Sequence, residues 1–238
     1  MEFKYQYIYI LFFFVLLSTP TAVMYSGSLS VNDGSLIATG FWNNPLTSIS
    51  WNVDNTTTPG MWHYEYTLTT FQKGISHWIL EASDETPGPA FSFANLFNVI
   101  VQPSGWLGTI EIENHNDGIG GVNPNPYMPE DMYGIKFNAA SGQSTTIVNL
   151  QFDSDRIPIW GDFYAKCGAT SGEMNTVYNE GFSALDPLAP LANGSIFNHI
   201  IVPDTQTVLY NTAVPEPSTT WMLAIIISCI VYNFMKRK

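Results

Sequence analysis

Apolar and polar residues alternate with a period of two through the middle of the chain. Trp62, Tyr64, Tyr66 and Leu68 interleave with His63, Glu65, Thr67 and Thr69, and Ile49, Trp51 and Val53 with Ser50, Asn52 and Asp54. Ile110 and Ile112 alternate with Glu111 and Glu113, Tyr133, Ile135 and Phe137 with Gly134 and Lys136, and Val148, Leu150 and Phe152 with Asn149, Gln151 and Asp153. Successive side chains of a strand point to opposite faces, so each run predicts a strand with one buried and one wet face, the pattern of antiparallel sheets. Turn chemistry separates the runs at Asn32-Asp33-Gly34, Thr58-Pro59-Gly60, Thr86-Pro87-Gly88-Pro89 and Ser141-Gly142. Residues 105–129 read as a hairpin carrying a long loop, and only 92–99 and 171–182 are weakly competent for helix. No alternation of strands with helices appears. The expectation is an all-β domain over residues 25–210, an antiparallel two-sheet β-sandwich of jelly-roll or immunoglobulin-like type with roughly eight to ten strands.

Both ends of the chain read as addresses. Behind Lys4, an unbroken apolar run from Ile8 to Leu17 is followed by Ser18-Thr19-Pro20-Thr21-Ala22. A basic lead, a greasy core too short to span a bilayer and a small-residue exit predict a signal peptide at 1–24, read by the export translocon and signal peptidase. The exact cut is open, because Pro20 sits badly ahead of a site after Ala22 and positions up to Ser28 remain available; an uncleaved anchor is the alternative.

At the other end, after a short linker at 211–214, Pro215-Glu216-Pro217 is stiff and extended, because proline fixes φ and biases the preceding residue away from helix. Residues 221–235 are apolar except for Ser228 and Asn233 and would span about 22 Å as one transmembrane helix. Lys236, Arg237 and Lys238 then act as a stop-transfer signal that keeps the C-terminus cytoplasmic and the domain outside. Motif, apolar helix and basic end, in that order over 211–238, resemble the PEP-CTERM sorting signal of Gram-negative bacteria. The resemblance implies an exosortase as partner, a membrane enzyme that cuts near the motif and releases or re-attaches the domain, and an association with exopolysaccharide and biofilm. The chain would sit in the inner membrane with its domain in the periplasm, then pass to the cell surface or the medium. An ordinary single-pass tail anchor is the alternative.

A second resemblance covers most of the intervening domain. Gly27-Ser28-Leu29-Ser30-Val31, Ile75-Ser76-His77-Trp78-Ile79-Leu80-Glu81, Tyr133-Gly134-Ile135-Lys136-Phe137, Phe152-Asp153-Ser154-Asp155-Arg156 and Trp160-Gly161-Asp162-Phe163-Tyr164 look like an ectodomain type carried on PEP-CTERM tails. It bears on localisation and implies no chemistry.

Charge narrows the partners. Between Val23 and Val214 eighteen acidic residues face four basic ones, Lys73, Lys136, Arg156 and Lys166, a net of −14 against −12 for the whole chain. Such a surface repels nucleic acid and anionic lipid, and suits solubility or cation binding. Of the two cysteines, Cys229 lies in the C-terminal apolar run and Cys167 in the domain, so the domain alone can form no internal disulfide.

Candidate chemistry is sparse. Asp153 and Asp155 are expected on one strand face, with Asp162 a few residues on; their repulsion would be relieved by Ca²⁺ or by the Arg156 guanidinium, as a structural Asp–Arg pair. The spacing matches no complete calcium loop. Asn114-His115-Asn116-Asp117-Gly118 offers ligands but equally suits a tight turn. His63, His77, His115 and His199 form no zinc motif, and no nucleophile elbow is present. His77, beside Trp78, reads as core, and Glu111 and Glu113 as solvated surface. Exposed tryptophans stack on sugars; the alternating positions of Trp51 and Trp62 favour the core, whereas Trp106, between Gly105 and Gly108, is the candidate sugar platform. No catalytic residues emerge. The expected function is a non-catalytic surface or matrix protein without a required cofactor; the alternatives are a carbohydrate-binding module or, more remotely, a polysaccharide-acting enzyme.

Overall fold

The structure is a computed structural model describing residues 22–82, 89–118, 125–168 and 174–207. The apolar run 8–17, the motif Pro215-Glu216-Pro217, the span 221–235 and Lys236, Arg237 and Lys238 lie outside the described residues. Among the described residues no helix is long and apolar enough to cross a membrane.

The alternating runs form strands. β1 (Met24–Ser30), β3 (Ser48–Asp54), β4 (Trp62–Thr69), β9 (Ile147–Ser154) and β6 (Phe97–Gln102) make a five-stranded antiparallel sheet in the order β1-β3-β4-β9-β6. A second antiparallel sheet of six strands runs β2-β12-β11-β5-β8-β7, built from β2 (Leu36–Ala38), β12 (Thr176–Asn179), β11 (Phe163–Cys167), β5 (Ile75–Glu81), β8 (Met132–Ala139) and β7 (Leu107–His115). A two-stranded ribbon pairs β10 (Arg156–Gly161) with β13 (Ile200–Thr207). The thirteen strands among the described residues exceed the eight to ten expected, because β2 and β12 are too short to show alternation and β10 and β13 carry prolines, Pro158 and Pro203. Among the described residues of the two helix-competent segments the helical structure is a single 3₁₀ turn in each, at Phe93–Asn95 and Glu180–Ser183, and the remainder includes parts of β6 and β12.

The two main sheets share one core, the arrangement of a β-sandwich. Trp51, Val53, Tyr64, Tyr66, Leu150 and Phe152 of the first meet Trp78, Leu80, Ile135, Phe137, Phe163 and Val177 of the second. Tyr66 meets Trp78 edge-on and Phe152 stacks near Phe137, so aromatic contacts bridge the layers. The buried hydroxyls of Tyr64 and Tyr66 donate to the carbonyls of Arg156 and Ile201, which ties the ribbon to the five-stranded sheet.

The six-stranded sheet departs from a one-wet-face pattern. Its outer face carries a second apolar cluster, in which Met128 and Phe182 cover Ile79, Met132 and Tyr164. Lys136, expected on the wet side, is only 2 % exposed; it pairs with Ile79 on the face that Met128 and Phe182 cover, and Glu111 stands 3.6 Å from its ammonium. Burial lowers the Lys136 pKa, and Glu111 opposes the shift. The stretch 105–129 supplies only the first strand of a hairpin: β7 pairs with β8, which begins at Met132, beyond it.

Candidate functional site

The three aspartates singled out in the sequence do not converge. Asp153, at the end of β9, accepts hydrogen bonds from Asn98 at 2.6 Å, His63 Nδ1 at 2.7 Å and Thr58 at 2.9 Å. Asn98 can aim its amide there because it adopts a left-handed φ of 50° at an irregularity in the β6–β9 pairing, a conformation asparagine tolerates. Burial would raise the Asp153 pKa, but the Asn98, His63 and Thr58 hydrogen bonds outweigh it and hold the carboxyl below its ordinary value. Asp155 occupies the bend between β9 and β10 and so leaves the alternation that would have aligned it with Asp153. It accepts from Asn95 at 3.0 Å and stands 3.8 Å from Arg156 Nε, while Arg156 Nη2 donates to Asn95 at 3.1 Å. The Asp–Arg alternative therefore describes Asp155, and a calcium site shared by Asp153, Asp155 and Asp162 is corrected to separate environments.

Trp106 is also corrected. It is 1 % exposed and its indole N–H donates to the Ile75 carbonyl at 3.0 Å, so both ring faces belong to the core rather than to a sugar platform. Trp42, Trp51, Trp62, Trp78 and Trp160 are buried as well. His77 is buried, as read. His115 ends β7 instead of forming a turn, with Nε2 3.1 Å from the Gly134 carbonyl.

Asp162 is the residue around which polar groups gather. It is the single residue between β10 and β11, where the chain passes from the ribbon to the six-stranded sheet. Such a crossing takes successive backbone N–H groups out of the ladder, and buried donors need partners. Glu81 Oε2 accepts the Asp162 N–H at 2.7 Å, and Asn179 Oδ1 accepts the Phe163 N–H at 3.0 Å. Asn179 in turn donates to Asp162 Oδ1. Glycine is needed at 161: a Cβ there would lie 2.4 Å from Val202 Cγ2 and 2.8 Å from Glu81 Oε2.

His199 enters from the start of β13. A tight turn with positive φ at Phe197 and Asn198 sets it, and Gly181 makes room, since a Cβ there would lie 2.9 Å from His199 Nε2. Its side chain is fully buried, with Nδ1 2.9 Å from Asp162 Oδ1 and 3.3 Å from Asp186 Oδ1. Despite these distances, neither ring nitrogen makes an aligned hydrogen bond. Asp162 is 8 % exposed and Asp186, on the segment after the 180–183 turn, 39 %. Three carboxylates thus surround one imidazole. Burial, Asp186 and Asp162 push the Glu81 pKa well up, against the Asp162 N–H and His199. Burial raises Asp162 despite His199 and Asn179. Burial lowers His199, but Asp162 and Asp186 override it and bring its pKa up to about 9. The donors of Asp162, Asp186 and His199 all lie within 4.8 Å of one another, a set able to hold either a proton or a cation.

Sequence reading found Asp162 but not its partners. Glu81, Asp186 and His199 are distant along the chain and obey no ligand spacing; the one local signal is Glu81, a carboxylate closing the apolar run 78–80. In comparisons with protein-family models, curated proteins and solved structures, the chain matches none.

Proposed function

We propose that the chain is an exported, non-catalytic surface or extracellular-matrix protein, processed by an exosortase and associated with exopolysaccharide. The observation that carries this reading is the order of Pro215-Glu216-Pro217, the apolar run 221–235 and Lys236-Arg237-Lys238, behind a domain preceded by a signal-like run. Support comes from a net charge of −14 on the intervening segment, suited to a soluble exterior domain, and from a β-sandwich whose last described strand ends at Thr207, shortly before the motif. Burial of Trp42, Trp51, Trp62, Trp78, Trp106 and Trp160 supports this reading over the carbohydrate-binding alternative. We read the sandwich as jelly-roll-like rather than immunoglobulin-like. The triples β4-β9-β6 and β11-β5-β8 place strands distant in sequence side by side within each sheet, which supports that reading.

Intact-mass analysis of membrane and medium fractions, from cells with and without their exosortase, tests the reading. A species ending near Pro217 only when the enzyme is present is the expected result. A full-length tail persisting in the membranes of both strains would reduce the proposal to a plain membrane anchor.

A further inference from the structure

The structure assigns, we infer, a divalent-metal site to Asp162, Asp186 and His199, for a first-row transition cation of the Zn²⁺ or Mn²⁺ class. This is independent of the export reading and rests on four observations. The first is distance. Ligands about 2.0–2.1 Å from a tetrahedral metal stand about 3.3 Å apart, and an octahedral set about 2.9 Å. His199 Nδ1 is already 3.3 Å from Asp186 Oδ1 and 2.9 Å from Asp162 Oδ1.

The second is the imidazole itself. A fully buried histidine is ordinarily fixed by at least one aligned hydrogen bond, because an unpaired buried polar atom costs about 1–3 kcal/mol. Both His199 nitrogens lack one, yet Nδ1 faces two carboxylates. A metal ion between them satisfies the nitrogen lone pair and both oxygens together.

The third is charge. Among the described residues His199 is the only cationic group within ion-pair distance of Asp162 and Asp186. A dication balances this set as a lone imidazolium does not. One nitrogen with oxygen donors also favours Zn²⁺ or Mn²⁺ over Ca²⁺ and Mg²⁺, which prefer oxygen alone.

The fourth is the surroundings. Asn179 donates to Asp162 and so orients its carboxylate, while the partly exposed Asp186 leaves a path for the ion from solvent. The other acid–histidine group, Glu111, Glu113 and His115, has the Lys136 ammonium 3.6 Å from Glu111 and His115 Nε2 on the Gly134 carbonyl. Its charge and its imidazole are already served. A bound ion would tie the β10–β11 crossing, the 184–199 segment and the start of β13 together, a cross-link in a domain with one cysteine.

The test uses the full-length chain, stripped with chelator, dialysed separately against Zn²⁺, Mn²⁺ and Ca²⁺, and read by elemental mass spectrometry. About one equivalent of Zn²⁺ or Mn²⁺ is expected, with affinity falling about tenfold or more in Asp186→Asn, as for loss of a coordinating group, and unchanged in Glu111→Gln. Asp186 is at the surface, so its variant keeps the fold; if His199→Gln unfolds, Asp186→Asn decides. No stoichiometric binding, equal binding by Asp186→Asn, or a preference for Ca²⁺ overturns the assignment.

Discussion

Asp153 accepts three side-chain hydrogen bonds, from His63, Thr58 and Asn98, and its depressed pKa turns that network into a pH-dependent source of stability. The carboxyl titrates lower in the folded chain than its ordinary value of 3.8, so its contribution is complete above that value and is lost as pH falls through the folded pKa. Asp54 behaves alike: burial would raise its pKa, but the hydroxyls and backbone N–H groups of Thr56 and Thr57 outweigh it. Asp153→Asn, which keeps the size but faces an N–H₂ against donors, should cost about 1–3 kcal/mol in urea unfolding at pH 7. Repeated at pH 3, the difference from the parent should shrink; a deficit equal at both pH values would sink the account. The sequence marked Asp153 for its neighbours in the chain, Asp155 and Arg156, whereas its partners come from three other segments. A site assembled by sheet pairing leaves little trace in local spacing, and Glu81, Asp186 and His199 escaped for the same reason.

Strands that bury one face were legible, and those that do not were obscure. The runs around Trp51, Tyr64 and Leu150 became β3, β4 and β9, since a half-buried strand writes its exposure as alternation. Ile200, Ile201 and Val202 of β13 are all buried, so their apolar run carries no period of two. Trp106 was misplaced because flanking glycines signal a loop but do not say what lies beneath it; the turn after β6 drops the indole under β5. Trp106→Ala should therefore lower stability by about 3–5 kcal/mol in denaturant unfolding, the usual cost of deleting a buried aromatic. Retention of polysaccharide by the folded variant should match the parent, and a selective loss of retention with stability intact would restore the platform reading.

Across the whole molecule the dominant long-range term is self-repulsion. With eighteen acidic and four basic residues between Val23 and Val214, the compact state gathers charge that the unfolded chain spreads out. Screening relieves that cost, so raising monovalent salt from about 0.01 M to about 0.5 M should raise the melting temperature. A melting temperature that falls with salt would mean that specific ion pairs outweigh the net charge. The acidic balance and the all-β class were both readable from composition and pattern, whereas the covered outer face of the six-stranded sheet was not: Lys136 reads as wet in any local window, yet it is buried beside Ile79 on the face that Met128 and Phe182 cover.

The pairing of β2 with β12 has a consequence in time. The hydroxyls of Thr39, just after β2, and Thr176, which opens β12, meet although 137 residues separate them, and Gly194 donates to Ser26 on the outer edge of β1. The earliest strands thus wait for the latest segments before their edges are closed. Closing so long a loop costs entropy before it returns any contact, which places the chain among slow folders of high contact order. A ribosome or a membrane channel delivering this chain from its N-terminus would emit an incomplete sandwich until nearly the whole domain had emerged, and the interval before closure is when its open edges are most vulnerable to a neighbour's strand.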